Sequence, residues 1–376
     1  MKKHSQYYIV VISLFLGICA PTLWTEGMFM DGLYYASIAR NLSEGLGSFW
    51  SLHLTNCSFP VFNEHPPFAI WLQSLIFYCA GDNIYVERIY SLSTFLFTGF
   101  IIHLIWKEII NKEFKSLSWI PLFFWVIIPL NSWSCSNNIL ENTMNIFVAL
   151  AVLFSLKSLK KSKLRNILFS GIFLGLAFLS KGFTGLFPLS IFFWHFIVYR
   201  EIKIKEVVLN SSYLLFCLTS PFMLLFFIYP DASETIHEYI NNQVVRSIED
   251  IRTVDNRFYI IKKTFLELLP GLIICLIALY FSFRKNIKNS YNEKKSILFF
   301  LLLALSGVIP IMLSMKQSGF YIVTTLPFFS IAMGILIAPY IHLLTNKPKI
   351  KLHVFSVSIF IVSILFSIKQ IGKITR

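Results

Sequence analysis

Charged side chains are scarce in this sequence. Asp, Glu, Lys and Arg make up only 14% of the 376 residues, whereas 56% are hydrophobic and 39 are Phe. A soluble domain of this length could not cover its surface with so few charges. The composition therefore excludes a soluble protein and predicts a polytopic membrane protein.

Cysteines are also few, and the six are not spaced as metal ligands are. Cys57 and Cys135 both fall in segments that we place outside the membrane, so a disulfide between them stays open. Their Cα atoms would have to lie within about 7 Å. Internal repeats and a separate soluble domain are also lacking, so residues 1–376 are interpreted as one integral membrane domain.

The basic residues exceed the acidic ones by 33 to 19, which gives a net charge of +14. They lie mostly in short clusters between apolar runs, and KSLKKSKLR at 157–165 is the densest. This is the positive-inside pattern of membrane proteins rather than a nucleic-acid surface. Lys2 and Lys3 thus place the N-terminus in the cytoplasm, before an uncleaved first span.

The same charge bias predicts about eleven crossings. The apolar segment 68–80 is too short to cross, and treating it as a half-inserted helix keeps the basic segment 107–115 cytoplasmic. The predicted spans are 7–24, 86–106, 118–133, 139–156, 166–180, 183–199, 207–229, 264–283, 296–314, 320–343 and 352–368. Two substantial outer loops result, at 25–85 and 230–262.

The first outer loop carries acids and a helical apolar stripe. Tyr35, Ile38, Ala39, Leu42 and Leu46 recur at helical spacing after Asp31. Such a helix, just beyond a span, is expected to lie at the lipid–water boundary. Asp31 would then sit at the membrane surface, and an N-cap role is the alternative for it.

A few charged residues lie at the outer ends of the predicted spans. Lys181 and Lys316 are cations there, and such cations commonly mark an anion site, although snorkelling to lipid headgroups is the alternative. Glu141 begins a span at the same surface, where a carboxylate that merely favours the helix dipole is the alternative. Glu64 and His65 form a weak candidate pair for a metal or an acceptor, with His237 as a speculative third ligand.

Several motifs, in order, resemble the GT-C membrane glycosyltransferases, closest to the protein O-mannosyltransferase and aminoarabinose transferase branch. They are D-x-x-Y-Y-A-x-I-A-R-N-L from Asp31, E-H-P-P from Glu64, GIFLGLAFLSKG ending at Gly182, and KQSGFYIVTTLP from Lys316. Two positions depart from the family pattern. Gly32 stands where family members often have Glu, and His65 where some have Lys.

The resemblance implies an all-α GT-C-like bundle with interfacial helices in the first outer loop. It implies transfer of a monosaccharide from a polyprenyl-phosphate donor to a glycan, lipid or protein acceptor outside the inner membrane, with no role for nucleic acid. Asp31 would be the general base and Glu141 a second catalytic acid. Bases that face the donor phosphate would be Lys181, Lys316 and, from the second outer loop, Arg246 or Arg257, with Tyr321 beside them.

Two other classes remain open. A transporter or lipid flippase is expected to carry ionisable residues near the bilayer middle and broken helices in two related halves. A polysaccharide polymerase or ligase is expected to concentrate Arg and His in the later outer loop, and 230–262 contains both. The sugar, the acceptor and any need for a divalent metal are not predicted by the sequence.

Overall fold

The computed structural model describes residues 5–25, 27–57, 60–160, 162–249, 251–345 and 350–374. Over these residues the chain is helical and contains no strand, apart from one isolated bridge between Gly47 and Leu52. The helices are α1 Ser5–Ile18, α2 Met30–Ser43, α3 Phe68–Ala80, α4 Val86–Ile109, α5 Trp119–Ile127, α6 Pro129–Ser136, α7 Leu140–Ser158, α8 Lys163–Lys181, α9 Ile191–Tyr199, α10 Ile204–Ile228, α11 Pro230–Tyr239, α12 Arg246–Glu249, α13 Tyr259–Arg284, α14 Tyr291–Val308, α15 Leu326–Thr345 and α16 Ile350–Ile374.

Eight helical stretches in the described residues are long and apolar enough to cross a membrane. A ninth span results if α5 and α6, which meet at a bend of 78°, are counted as one. The other two predicted spans are present as shorter apolar stretches at 183–199 and 356–369. The segment predicted not to cross is the 13-residue helix α3. The polytopic helical fold is thus confirmed.

Burial separates central helices from peripheral ones. Of the most apolar window in the Gly319–Thr345 stretch, 83% of the residues are buried, whereas the corresponding windows of α10 and of the Ser5–Trp24 stretch are 17% buried. A helix that is apolar all round and buried belongs to the core, and one that exposes apolar side chains is suited to lipid. α15 is therefore a central helix, and α1 and α10 lie at the periphery.

The first outer loop has a small hydrophobic core of its own. The predicted stripe of α2 is buried at Tyr35, Ile38 and Ala39, which pack against α3 at Ile70 and against Leu140 of α7. The stripe therefore packs against protein, whereas the sequence predicted that it would face the lipid–water boundary. The loop is thus fixed to the bundle.

The start of α2 is held close to the turn between α6 and α7. The Asn137 side chain accepts a hydrogen bond from the Phe29 amide at 2.8 Å, and the Asn138 side chain donates to the Gly32 carbonyl at 3.0 Å. A Cβ atom at Gly32 would lie 2.2 Å from the Asn137 carbonyl oxygen. Glycine at position 32, where the family often has Glu, is therefore required by this close approach.

Arg88 joins three parts of the chain at the same end of the bundle. Its buried guanidinium donates to the carbonyl oxygens of Thr22, Thr25 and Gly27, just before α2, and to that of Ser136 at the end of α6. Backbone carbonyls are the acceptors left free at helix ends and in loops. The entry to the first outer loop is therefore fixed by one side chain of α4.

A buried carboxylate supports the bend between α5 and α6. Glu267 of α13 accepts a hydrogen bond from the Leu130 amide at 2.7 Å, in the first turn of α6. Its other oxygen lies 2.7 Å from the Lys263 ammonium. Because the first amides of a helix have no partner within it, Glu267 supplies one from another helix.

Candidate functional site

A cavity of about 390 Å³ brings together residues from four distant parts of the chain. Lys181 at the end of α8, Lys316 and Tyr321 before α15, and His65 of the first outer loop all line it. Tyr239 at the end of α11 lines it as well. Four residues singled out from the sequence therefore share one cavity, although 65 and 321 lie far apart in the chain.

Lys181 is buried and ion-paired. Its ammonium lies 2.5 Å from the Glu141 carboxylate, and the two side chains are 7% and 1% exposed. The ammonium also lies 5.0 Å from the centroid of the Phe320 ring and 5.3 Å from that of Tyr321, within the range of cation–π attraction. Glu141 thus contacts Lys181 and is not among the residues that line the cavity.

The backbone after Lys181 takes a form that favours glycine. Gly182 has φ +104°, and a Cβ there would collide with the Tyr239 hydroxyl. That hydroxyl donates to the Lys181 carbonyl at 3.3 Å. Gly182 therefore lets α11 approach the end of α8 and close this side of the cavity.

Lys316 differs from Lys181 because its hydrogen-bond partner is neutral. Its ammonium donates to the Gln243 side-chain oxygen at 2.6 Å, and within the described residues it forms no ion pair. Burial lowers the pKa of Lys316, and the nearby carboxylate of Glu64 opposes that shift. The Lys316 charge is therefore less fully compensated than that of Lys181.

Asp31 lies in the first turn of α2, whose N-cap is Phe29, so the N-cap alternative for Asp31 is wrong. Among the described residues its carboxylate makes no hydrogen bond or ion pair. It is close enough to Lys316 to raise the pKa of that ammonium and to Glu64 to raise the pKa of that carboxyl. Asp31 is thus a free carboxylate beside the cavity.

Glu64 and His65 sit where charge is disfavoured. Burial raises the pKa of Glu64 above its ordinary value, and the Lys316 ammonium only partly offsets this. Burial lowers the pKa of His65 well below its ordinary value, and the ammonium groups of Lys181 and Lys316 add to that shift. His65 is therefore a neutral imidazole at pH 7.

The remaining predicted site residues lie elsewhere. His237 is exposed and its ring contacts Asn241 at 2.9 Å, and Arg246 and Arg257 are exposed and do not line the cavity. Over the described part of the chain, no three His, Cys, Asp or Glu side chains come together as metal ligands. Glu64, His65 and His237 therefore form no three-ligand set there. The disulfide is also absent, since Cys57 is exposed and free and Cys135 is buried and free.

Tyr35, Tyr239 and Gln243 belong to the site but were not predicted as site residues. Tyr35 of α2 is buried near Asp31 and Glu141, and burial followed by these two charges raises the pKa of its phenol well above the usual value. The sequence places it in the apolar stripe and in the motif after Asp31 but predicts no role for its phenol. Gln243 lies in a π-helical turn, Ile240–Val245, whose irregular hydrogen bonding has no marker in the sequence.

Sequence comparison gives one family and two similar curated proteins. Residues 64–225 match the model of the dolichyl-phosphate-mannose-protein mannosyltransferases. The undecaprenyl phosphate-α-4-amino-4-deoxy-L-arabinose arabinosyl transferase of Wigglesworthia glossinidia brevipalpis is 27% identical over 188 residues, 49% of this chain and 32% of that protein. The corresponding transferase 1 of Proteus mirabilis is 24% identical over 97% of this chain and 64% of that protein. The chain thus spans less than two thirds of either relative.

The fold is similar to that of a solved transferase. ArnT from Cupriavidus metallidurans bound to undecaprenyl phosphate aligns with a TM-score of 0.67 at 15% identity, over 89% of this chain and 60% of that one. At this level of identity the likeness concerns the fold. Together with the family match, it supports the resemblance drawn from the motifs.

Proposed function

We propose that this chain is a glycosyltransferase of the GT-C type, which transfers a monosaccharide from a polyprenyl-phosphate donor to an acceptor on the non-cytoplasmic side of the membrane. The observation that carries the proposal is the shared cavity. Lys181 and Lys316 line it, and Asp31 lies beside it as a free carboxylate. Cations for a phosphate and a base for a hydroxyl are the two groups that such a transfer needs.

The proposed reaction is a single displacement. The Asp31 carboxylate takes the proton of the acceptor hydroxyl while the acceptor oxygen forms a bond to the anomeric carbon. The bond from that carbon to the phosphate oxygen breaks, and its electron pair leaves with the polyprenyl phosphate. Attack from the side opposite the leaving group inverts the anomeric configuration.

The two lysines have different parts in this proposal. Lys316 has no carboxylate partner at hydrogen-bond distance, so its charge is available to the phosphate as negative charge develops on the leaving oxygens. Lys181 is held by Glu141, which we therefore propose acts through Lys181 rather than on the sugar. His65 lines the cavity and is neutral at pH 7, so we propose that its imidazole forms a hydrogen bond with a hydroxyl group of the donor or acceptor.

The cavity wall suits a lipid-linked donor. Leu186, Phe187, Ile311 and Leu313 line the cavity together with the two lysines. A ligand with an apolar chain and an anionic head fits such a wall, because apolar contacts and a few placed polar groups are what ligand cavities combine. Arg246 and Arg257 lie outside the lining, and we propose no phosphate contact for them in this state.

The experiment is transfer and donor binding by the full chain in membrane vesicles, with Asp31→Asn as the test variant. A placed general base is worth about 10²–10⁴-fold, so transfer should fall by that factor while undecaprenyl phosphate still binds. Lys316→Ala should weaken binding of that lipid instead. Full transfer by Asp31→Asn would remove Asp31 from the mechanism.

A second measurement tests the class of protein. Mass spectrometry of cell-envelope glycans, with and without the gene product, should show one sugar modification that is lost. Movement of an unmodified lipid across the vesicle membrane, without any new glycosidic bond, would instead indicate a flippase.

A further inference from the structure

We propose that Gln243 is a positioning residue that holds the Lys316 ammonium at the cavity without cancelling its charge. This inference rests on the proposed function, because it concerns the donor phosphate. Gln243 and Lys316 are 73 residues apart, and both line the cavity. Their contact at 2.6 Å is the polar link between the turn after α11 and the segment before α15 at this point.

The first step is the chemistry of the partner. Lysine has a flexible four-carbon stem, so an ammonium that must meet a phosphate needs a fixed acceptor. A carboxylate would supply one but would also neutralise the charge, as Glu141 does for Lys181. The amide oxygen of Gln243 accepts the hydrogen bond and leaves the positive charge in place.

The second step is the backbone that presents Gln243. Ile240–Val245 is a single π-helical turn between α11 and α12. Such turns are rare and occur frequently at functional sites, because one extra residue changes the direction of the side chains. Here Gln243 and Val244 line the cavity, whereas the preceding Asn242 is exposed and does not.

The third step is the fixation of the Lys316 side. The Lys316 amide donates to the Ser314 hydroxyl at 2.9 Å, and the Ser314 hydroxyl in turn donates to the Ser247 carbonyl. The Gln317 amide donates to the Thr253 hydroxyl, also at 2.9 Å. Residues on both sides of Lys316 are therefore bonded to the segment that follows Gln243, at Ser247 and at Thr253, so the fold fixes the backbone of Lys316 relative to that segment.

The test compares three single variants by their binding to two lipids. Gln243→Glu keeps the acceptor and the length but adds a charge, Gln243→Ala removes the acceptor, and Asn242→Asp adds the same charge one residue away on the exposed side. Binding of undecaprenyl phosphate and of the uncharged alcohol undecaprenol to the purified full chain is measured by competition. The ratio of the two affinities isolates the phosphate.

The expected order follows from the charge. Gln243→Glu should lower the affinity for undecaprenyl phosphate by about tenfold or more. Gln243→Ala should lower it by about threefold, as the loss of one hydrogen bond predicts. Undecaprenol should bind every variant as it binds the unaltered protein, and Asn242→Asp should bind both lipids normally. If Gln243 had only a structural role, its variants would also bind undecaprenol less tightly.

Three results would overturn the inference while leaving the proposed function standing. They are a Gln243→Glu variant that binds the phosphate as well as the unaltered protein, one that binds it better than Gln243→Ala, and an Asn242→Asp variant that weakens it equally. Should Gln243→Glu not fold, an unchanged phosphate affinity of Gln243→Ala would suffice to reject it. An unaltered protein that does not distinguish phosphate from alcohol would overturn the proposed function itself.

Discussion

The buried pair between Glu141 and Lys181 offers a direct test of how the site is held. Glu141→Gln keeps the size of the side chain and removes its charge, so the Lys181 ammonium stays buried without its partner. In the protein these groups are 1% and 7% exposed and 2.5 Å apart. Breaking such a pair from one side typically costs 3–5 kcal/mol, because a buried charge is left uncompensated.

The expected loss lies near the lower end of that range. The faces of Phe320 and Tyr321 remain about 5 Å from the ammonium, and each such contact contributes about 0.5–2 kcal/mol. The cavity also gives water a route to Lys181. We therefore expect a loss of about 3 kcal/mol, and at about 2 °C per kcal/mol for a large chain the unfolding temperature should fall by about 6 °C.

The assay is thermal unfolding of the purified protein in detergent, followed by tryptophan fluorescence. The control is the double variant Glu141→Gln with Lys181→Met, which removes both charges and leaves neither one alone. Replacement of both partners of a buried pair is often close to neutral, so the double variant should be more stable than Glu141→Gln. A single variant within 1 °C of the unaltered protein would refute the reasoning.

Two further predictions concern α2 and the cavity wall. Gly32→Ala should destabilise the first outer loop and abolish transfer, because its Cβ would lie 2.2 Å from the Asn137 carbonyl oxygen. The control is Gly17→Ala, whose Cβ would lie at an ordinary 3.7 Å from Ser363 Oγ. This control should be tolerated in the same stability and transfer assays. The lowered pKa of His65 means that the unfolded chain binds more protons below pH 6.5, so the unfolding temperature should fall as the pH drops from 6.5 to 5. His65→Gln should reduce this dependence of the unfolding temperature on pH. An unchanged pH dependence in that variant would contradict the prediction.

Much of the fold followed from patterns that depend on local sequence. Apolar runs bounded by basic clusters predicted the spanning helices, and the short run at 68–80 predicted α3, because length and charge alone decide these features. The apolar stripe of α2 was also readable. The sequence did not predict what covers the stripe, since an apolar face can pack equally well against lipid or against α3.

The site was predictable where a residue violates a general rule. Lys181 and Lys316 stood out because cations are costly at the outer ends of spans, and both line the cavity. Gln243 violates no such rule, since a polar residue in a polar loop is ordinary. Its proposed role depends on a π-helical turn and on a partner 73 residues away, and neither can be recognised from the local sequence.

The hydrogen bonds of the Arg88 guanidinium have a consequence for the order in which the protein folds during synthesis. Its acceptors include carbonyls before α2 and the Ser136 carbonyl at the end of α6. During synthesis the ribosome must therefore add nearly fifty residues after Arg88 before that last acceptor exists. A nascent chain stopped earlier would lack the contact to Ser136, so the segment before α2 would be joined to the end of α6 only after α6 has been synthesised.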